Sequence, residues 1–180
     1  MKITARPFSE TDVATRVAWI NDERIHLSMF FDLPATVANT LKWYESNIGN
    51  RSRADLTFAG ENGQIVAMGG FTGIDAIHSN AEFYVMVNPD LHGKGFGKSI
   101  SKWLFNYAFL NYHLNKIYLY TNDDNVMAYK IYEDCSFKLE GVLRKHKFKN
   151  AEFQNRRFYG LLREEWQQLD WAETTINYEF

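Results

Sequence analysis

Hydrophobic and polar residues alternate along several short segments of the chain, which is the pattern of β-strands with two different faces. The clearest case is residues 81–87, where Phe83 and Val85 alternate with Glu82 and Tyr84. Residues 116–121 contain a run of apolar and aromatic residues without alternation, which is typical of a buried central strand. Strands are therefore predicted over residues 3–7, 55–59, 64–71, 81–87, 116–121, 137–148 and 153–162.

A second pattern, with apolar residues three and four positions apart, predicts helices. Ile100, Trp103, Leu104 and Tyr107 follow this spacing within residues 98–110. Further helices are predicted over residues 11–20, 36–48 and 125–135, and residues 28–35 are predicted to form a loop. This order of elements predicts one α/β (α+β mixed) domain over residues 1–166, with helices on both faces of a mixed sheet. Residues 167–180 form a tail, which packs on the body of the protein or on a second subunit.

Composition and charge narrow the class of protein. The 180 residues are 46% hydrophobic and carry a formal net charge of −2, which argues against a disordered chain and against general attraction to nucleic acid. A basic run at Arg144, Lys145, Lys147 and Lys149 is better explained by alternation along a strand than by an RNA- or DNA-binding arm. One cysteine, no visible secretory signal and no long apolar run predict a soluble, cytoplasmic protein that does not cross a membrane.

A basic, glycine-rich loop at residues 91–99 lies between a predicted strand and a predicted helix. Gly93, Gly95 and Gly97 let the backbone approach a ligand closely, and the following helix N-terminus attracts an anion such as a pyrophosphate. The Walker A pattern fails because His92 occupies the place of its first glycine. The dinucleotide-binding pattern fails because Gly97 comes one residue too early, so a nucleotide-dependent kinase is disfavoured.

The loop resembles the acyl-CoA pyrophosphate loop of the GCN5-related N-acetyltransferase (GNAT) superfamily, Gln/Arg-x-x-Gly-x-Gly/Ala, with His92 in place of Gln or Arg. Residues 125–132 match a second family segment, Asn-x-x-Ala-x-x-x-Tyr. Residues 140–144 match Glu-Gly-x-x-Arg, and Ser136 replaces a usual glycine at a position that favours positive φ. The likeness is strongest to the ribosomal-protein, spermidine and amino-sugar acetyltransferases of that superfamily. It implies a single-domain, mostly antiparallel twisted sheet of about seven strands.

The resemblance also implies that acetyl-CoA is the cosubstrate and that no metal is needed. The strand end at residues 85–87 is expected to offer backbone N–H groups to the pantetheine and the thioester. The residues expected to bind acetyl-CoA are Val85, Met86, Val87, His92, Gly93, Lys94, Gly95, Phe96, Gly97, Lys98, Ser99, Asn125, Ala128 and Tyr132.

For the chemistry, the resemblance implies that Tyr132 protonates the departing thiolate. Glu82 is the best-placed base for the acceptor's ammonium, although it is equally well explained as an ordinary polar residue of an alternating strand. Cys135 lies on the inner stripe of a predicted helix, which favours a place in the core over a role as nucleophile.

The loop after the first helix, with Phe30, Phe31 and Asp32, is expected to border the acceptor pocket or to form a simple hydrophobic lid. The predicted reaction is direct acetyl transfer from acetyl-CoA to the primary amine of a small molecule, such as an amino sugar or a polyamine. An N-terminal acetyltransferase of a protein and a non-catalytic acyl-CoA-binding module stay open as alternatives. The sequence also leaves open whether the protein forms a homodimer.

Overall fold

The computed structural model describes residues 2–149 and 151–180, and a twisted seven-stranded sheet forms its centre. The predicted fold is confirmed, while residue 1, where the predicted domain begins, lies outside the described residues. Neighbouring strands are antiparallel except for the fourth and fifth strands, which are parallel. The spatial order is β1-β2-β3-β4-β5-β7-β6, with bounds β1 Ile3–Pro7, β2 Arg53–Gly60, β3 Ile65–Asp75, β4 Asn80–Val87, β5 Lys116–Asn122, β6 Lys138–Lys149 and β7 Glu152–Leu162.

Helices cover both faces of the sheet, and two of them were not predicted. The four predicted helices are present as α1 Val13–Ile20, α3 Val37–Asn47, α4 Phe96–Asn111 and α5 Val126–Asp134. The additional helices are α2 Glu23–His26 and α6 Arg163–Trp166, which are each four residues long. One turn of helix is too short to show a hydrophobic repeat, so the sequence pattern does not reveal it. None of the helices in the described part of the chain has the length and hydrophobicity that a membrane crossing requires.

The two faces of the sheet carry separate hydrophobic clusters, and the strand pattern of β4 explains them. Phe83 packs with Ile100, Leu104 and Phe105 beneath α4, and we call this side the α4 face. Met86 packs on the opposite side with residues of α1, α2 and α3, and we call this side the α1 face. Because side chains alternate along a strand, Phe83, Val85 and Val87 belong to the α4 face, and Glu82, Tyr84 and Met86 to the α1 face.

The parallel strands β4 and β5 pair over only a short distance. Asn80, Ala81 and Glu82 pair with residues 116–118, and the pairing ends there. Beyond Glu82 the carboxyl-terminal halves of the two strands separate and leave a gap in the sheet. Backbone groups at such a gap are available to a ligand, because neither strand satisfies those of the other.

The last residues of the chain pack on the body of the protein, which answers the question left open by the sequence. The backbone N–H and carbonyl of Phe180 pair with those of Ile3, and the Trp103 indole donates to the Asn177 carbonyl at 2.7 Å. The rings of Trp103 and Phe180 stack with centroids 5.7 Å apart. The tail therefore closes the edge of the sheet at β1 and covers part of α4.

Candidate active site

A cavity of about 660 Å³ opens where β4 and β5 separate, and it reaches both faces of the sheet. Its walls come from the α2 region, β4, the glycine loop, the start of α4, β5, α5 and the β6–β7 hairpin. It is lined by Arg24, Ile25, Ser28, Met29, Phe30, Phe31, Glu82, Phe83, Tyr84, Val85, Met86, Val87, Leu91, His92, Gly93, Gly95, Phe96, Gly97, Lys98, Ser101, Leu119, Tyr120, Thr121, Asn125, Met127, Ala128, Ile131, Tyr132, Lys147 and Arg156.

The glycine loop presents open backbone to this cavity. Gly93 and Gly95 have φ values of +75° and +84°, a region that only glycine adopts without strain. A Cβ atom built on either residue would have no neighbour within 4 Å, so a ligand can approach the backbone closely at both positions. Helix α4 begins at Phe96, two residues before its predicted start, and Gly95 is its N-cap. The unpaired N–H groups of this helix end therefore border the cavity.

Side chains of the loop mostly hold the loop itself in place. The imidazole Nε2 of His92 lies 3.1 Å from the Val87 carbonyl oxygen, and Lys98 pairs with Asp134 at 2.8 Å. Lys94 donates to the Asp90 carbonyl at 3.3 Å and lies outside the cavity lining. Ser99 is also exposed and outside the lining, because it falls on the outer side of the first turn of α4. Lys94 and Ser99 were both predicted to bind acetyl-CoA, but in this part of the loop it is the backbone that faces the cavity.

Helix α5 brings Asn125 and Tyr132 to the α4 face of the cavity. The side-chain oxygen of Asn125 caps the helix by accepting the Ala128 N–H at 3.2 Å. Tyr132 packs edge-on against Phe83 with ring centroids 5.9 Å apart. Burial raises the pKa of Tyr132, so its hydroxyl keeps its proton at neutral pH.

Cys135 lies at the carboxyl end of α5 and is fully buried in the cluster beneath α4, as predicted. Burial raises the pKa of its thiol to about 11. A buried thiol with a raised pKa is largely protonated at neutral pH, which favours the predicted place in the core over a role as nucleophile. Ser136, the next residue, has the predicted positive φ, at +68°.

Glu82 lies on the α1 face at the last paired position of β4, where the strands begin to part. Its side chain is half-buried, and burial raises the pKa of its carboxyl group. The positive charges of Arg156 and Lys147 act in the opposite direction and lower that pKa. Glu82 is therefore a carboxylate whose proton affinity depends on two basic neighbours from the β6–β7 hairpin.

The loop after α2 forms the outer wall of the α1 face. The ammonium group of Lys149 donates to the carbonyls of His26 and Met29, the latter at 2.5 Å, and so ties the hairpin to this loop. Phe30 lines the cavity, and so does Phe31, whose ring lies 5.7 Å from the Arg16 guanidinium. Asp32 is exposed and outside the lining.

Sequence reasoning missed several residues of the α1 face. Arg156 lies between the rings of Tyr120 and Phe30, with its guanidinium carbon 4.8 Å and 5.2 Å from their centroids. Lys147, from the basic run, also lines the cavity, which confirms the strand interpretation of that run. The adjacent pair Arg156 and Arg157 could have indicated such a residue. Two neighbouring side chains in a strand point to opposite faces of the sheet, so one arginine lies on each face. Among the described residues, His, Cys, Asp and Glu form no cluster of three that could hold a metal ion.

Comparison with known proteins gives one family match and several named relatives. Residues 2–138 match the family model described as an acetyltransferase (GNAT) domain. A spermidine N(1)-acetyltransferase of Vibrio cholerae is 31% identical over 139 residues, which are 76% of this chain and 79% of that protein. A spermidine N(1)-acetyltransferase of Escherichia coli K12 is 33% identical over 82 residues, 46% of this chain and 44% of that protein.

A solved structure extends the likeness over nearly the whole chain. The crystal structure of spermidine N-acetyltransferase from Vibrio cholerae in complex with CoA and spermine superimposes with a TM-score of 0.85 at 25% identity. The match covers 91% of this chain and 96% of that one.

Proposed function

Because this chain belongs to the acetyltransferase (GNAT) family, we propose that it moves an acetyl group across the gap between β4 and β5 to a small-molecule amine. The chain is an acetyl-CoA-dependent N-acetyltransferase. In this proposal acetyl-CoA lies along the α4 face and the acceptor amine enters from the α1 face. The observation that carries it is the parting of the two strands at Glu82, with Tyr132 and Glu82 on opposite faces of one cavity.

The α4 face fits the pyrophosphate and pantetheine parts of acetyl-CoA. The left-handed glycines and the start of α4 present N–H groups where a pyrophosphate can be held without a side chain in the way. The unpaired end of β4, Val85 to Val87, offers backbone groups to the pantetheine amides, and its N–H groups polarise the thioester carbonyl. Of the residues predicted to bind acetyl-CoA, Lys94 and Ser99 are left out of this arrangement.

The proposed chemistry needs one base and one acid. When bound, acetyl-CoA supplies an acetyl group that is activated as a thioester. Glu82 accepts a proton from the acceptor's ammonium, directly or through water, and so frees the nitrogen lone pair for attack. Tyr132 donates its hydroxyl proton to the thiolate that leaves. The raised pKa of Glu82 increases its proton affinity, and the raised pKa of Tyr132 keeps its hydroxyl protonated at neutral pH.

Two classes of small amine are the main candidates for the acceptor. The named relatives act on spermidine, which supports a polyamine. An amino sugar is the other class that the sequence predicts. Both classes present a primary amine on a molecule small enough for the cavity. A cytoplasmic location and a homodimer stay predictions.

The proposal is tested by measuring the release of free CoA thiol from acetyl-CoA in the presence of pooled polyamines, amino sugars and N-terminal peptides. We expect release with one of the first two pools and none without an acceptor. Release with the peptides alone would favour the N-terminal acetyltransferase. Acetyl-CoA binding without release in any pool would instead favour the non-catalytic binding module.

A further inference from the structure

The ionisable side chains of the cavity are unevenly paired on the two faces. On the α4 face, Lys98 is neutralised by Asp134 at 2.8 Å. At the mouth, Arg24 is neutralised by Asp22 at 2.7 Å and by Asp90 at 3.1 Å. The remaining basic residues of the lining apart from His92 are Lys147 and Arg156, and both lie on the α1 face.

The two neighbouring arginines of β7 show the contrast directly. Arg157, on the α4 face, donates to Asp123 at 2.6 Å. Among the described residues, Arg156 has no carboxylate within 4 Å, and its buried Nε atom has no hydrogen-bond acceptor. Its guanidinium carbon instead lies close to the rings of Phe30 and Tyr120, and a cation–π contact does not use the N–H donors of the guanidinium.

Lys147 adds a second positive charge beside Arg156. It lines the same end of the cavity, and its ammonium lies 5.9 Å from the Phe30 centroid. Glu82 is the one carboxylate of the lining, so two cations face one anion on the α1 face. A polyamine would bring further positive charge to a site that is already positive, whereas an anion would be attracted.

On the basis of the proposed function, we infer that Arg156 and Lys147 form an anion subsite, and that the acceptor amine carries a carboxylate or phosphate group. The planar fork of a guanidinium binds either group with two parallel hydrogen bonds. Within the acetyl transfer, the subsite holds the anionic group of the acceptor and leaves its amine free to reach Glu82. Arg156 is in this account a specificity-determining residue that binds substrate and takes no part in proton transfer.

Matched acceptor pairs test the inference, since each pair differs by one anionic group. The pairs are glucosamine with glucosamine 6-phosphate, and 1,4-diaminobutane with ornithine, and spermidine serves as the polycation. Binding to the enzyme–CoA complex is measured by calorimetry, and turnover is measured by CoA release. We expect at least one anionic member to bind about tenfold or more tightly than its partner. If neither pair shows this preference, or if spermidine binds best, the inference is wrong.

Variants show whether Arg156 causes the preference. Arg156→Gln is expected to weaken binding of the anionic acceptor by about tenfold to a hundredfold and not to weaken binding of the partner that lacks the anionic group. Arg156→Lys should restore part of the loss, because it returns the charge without the fork. Arg144→Gln, an exposed arginine of the same hairpin outside the cavity lining, is the control and should change neither acceptor.

An equal loss for both members of a pair would mean that Arg156 only supports Phe30 and Tyr120, and it would overturn the inference. The binding readout separates this outcome from failure of the proposed function. If anionic amines bind as expected but no acceptor is acetylated, the subsite stands and the transferase assignment falls.

Discussion

The α4 face and the α1 face of the split sheet differ in the groups that they offer to a ligand. On the α4 face the glycine loop and the start of α4 present open backbone, and the nearby charges of Lys98 and Arg157 are neutralised by Asp134 and Asp123. On the α1 face the site consists of side chains, and Arg156 is held by aromatic rings without a carboxylate partner among the described residues. Backbone groups are present whatever the side chains are, so a backbone site suits a cosubstrate that does not vary. A site made of side chains can acquire a different ligand through single substitutions.

The largest effect is expected from Tyr132→Phe on the α4 face. Loss of the hydroxyl removes the proposed proton donor and leaves the ring packed on Phe83, so kcat should fall about a hundredfold or more. The KM for acetyl-CoA should change little, because the backbone of the loop holds that substrate. Steady-state kinetics with a saturating acceptor provide the measurement. Full activity in this variant would remove Tyr132 from the mechanism.

On the α1 face, Glu82→Gln should lower kcat/KM at neutral pH by about tenfold to a hundredfold, since the proposed base is lost. Burial raises the pKa of Glu82, so the ionised form destabilises the folded protein at neutral pH. The uncharged glutamine relieves that cost, and the melting temperature should stay level or rise. A fall in melting temperature together with unchanged activity would support the interpretation of Glu82 as an ordinary structural residue.

A smaller effect is expected from Asn125, which serves both the helix and the proposed cosubstrate site. Asn125→Ala removes the cap of α5 and should destabilise the fold by about 1 kcal/mol. Asn125→Asp keeps an oxygen for the Ala128 N–H and should restore the stability, but it lacks the amide donor for a ligand. Thermal unfolding and the KM for acetyl-CoA, measured on both variants, separate the two roles. Equal KM values in wild type and Asn125→Asp would show that the amide does not contact acetyl-CoA.

The smallest expected effect is a change in pH dependence. The titratable groups around Glu82 are the charged Arg156 of β7 and Lys147 of β6 and the neutral Tyr118 of β5. Arg156 lowers the pKa of Glu82, so Arg156→Gln should raise it. In the proposed mechanism the ionised form of Glu82 is the active one, so the acid limb of kcat/KM for an acceptor without an anionic group should move to higher pH. A shift to lower pH would contradict the role of Glu82 as the base.

The contrast between the faces also explains what the sequence could predict. The α4 face could be predicted because Gly93, Gly95 and Asn125 lie in short contiguous motifs. The positive φ values of the loop also favour glycine, so its residue types are restricted. The α1 face brings together Phe30, Glu82 and Arg156 from distant segments, and only the folded sheet shows which of them meet. Asp32 was expected there from its place in the loop after the first helix, and it is exposed and outside the cavity lining.

The fold itself followed from the alternation of strands and the spacing of helices. The prediction failed for α2 and α6, whose single turns carry no periodic signal. The start of α4 was predicted two residues too late because Phe96 and Gly97 resemble loop residues, whereas the helix begins at Phe96 with the left-handed Gly95 as its N-cap.

The proposed division of the two substrates between the two faces is tested most directly by a paired kinetic measurement. Gly95→Val strains a position with φ of +84°, while Arg156→Gln removes a cation from the opposite face. KM values for acetyl-CoA and for the preferred acceptor are measured in both variants. We expect Gly95→Val to raise the KM for acetyl-CoA by about tenfold and leave that of the acceptor near its wild-type value. Arg156→Gln should do the reverse, and an increase in both KM values in each variant would contradict the division.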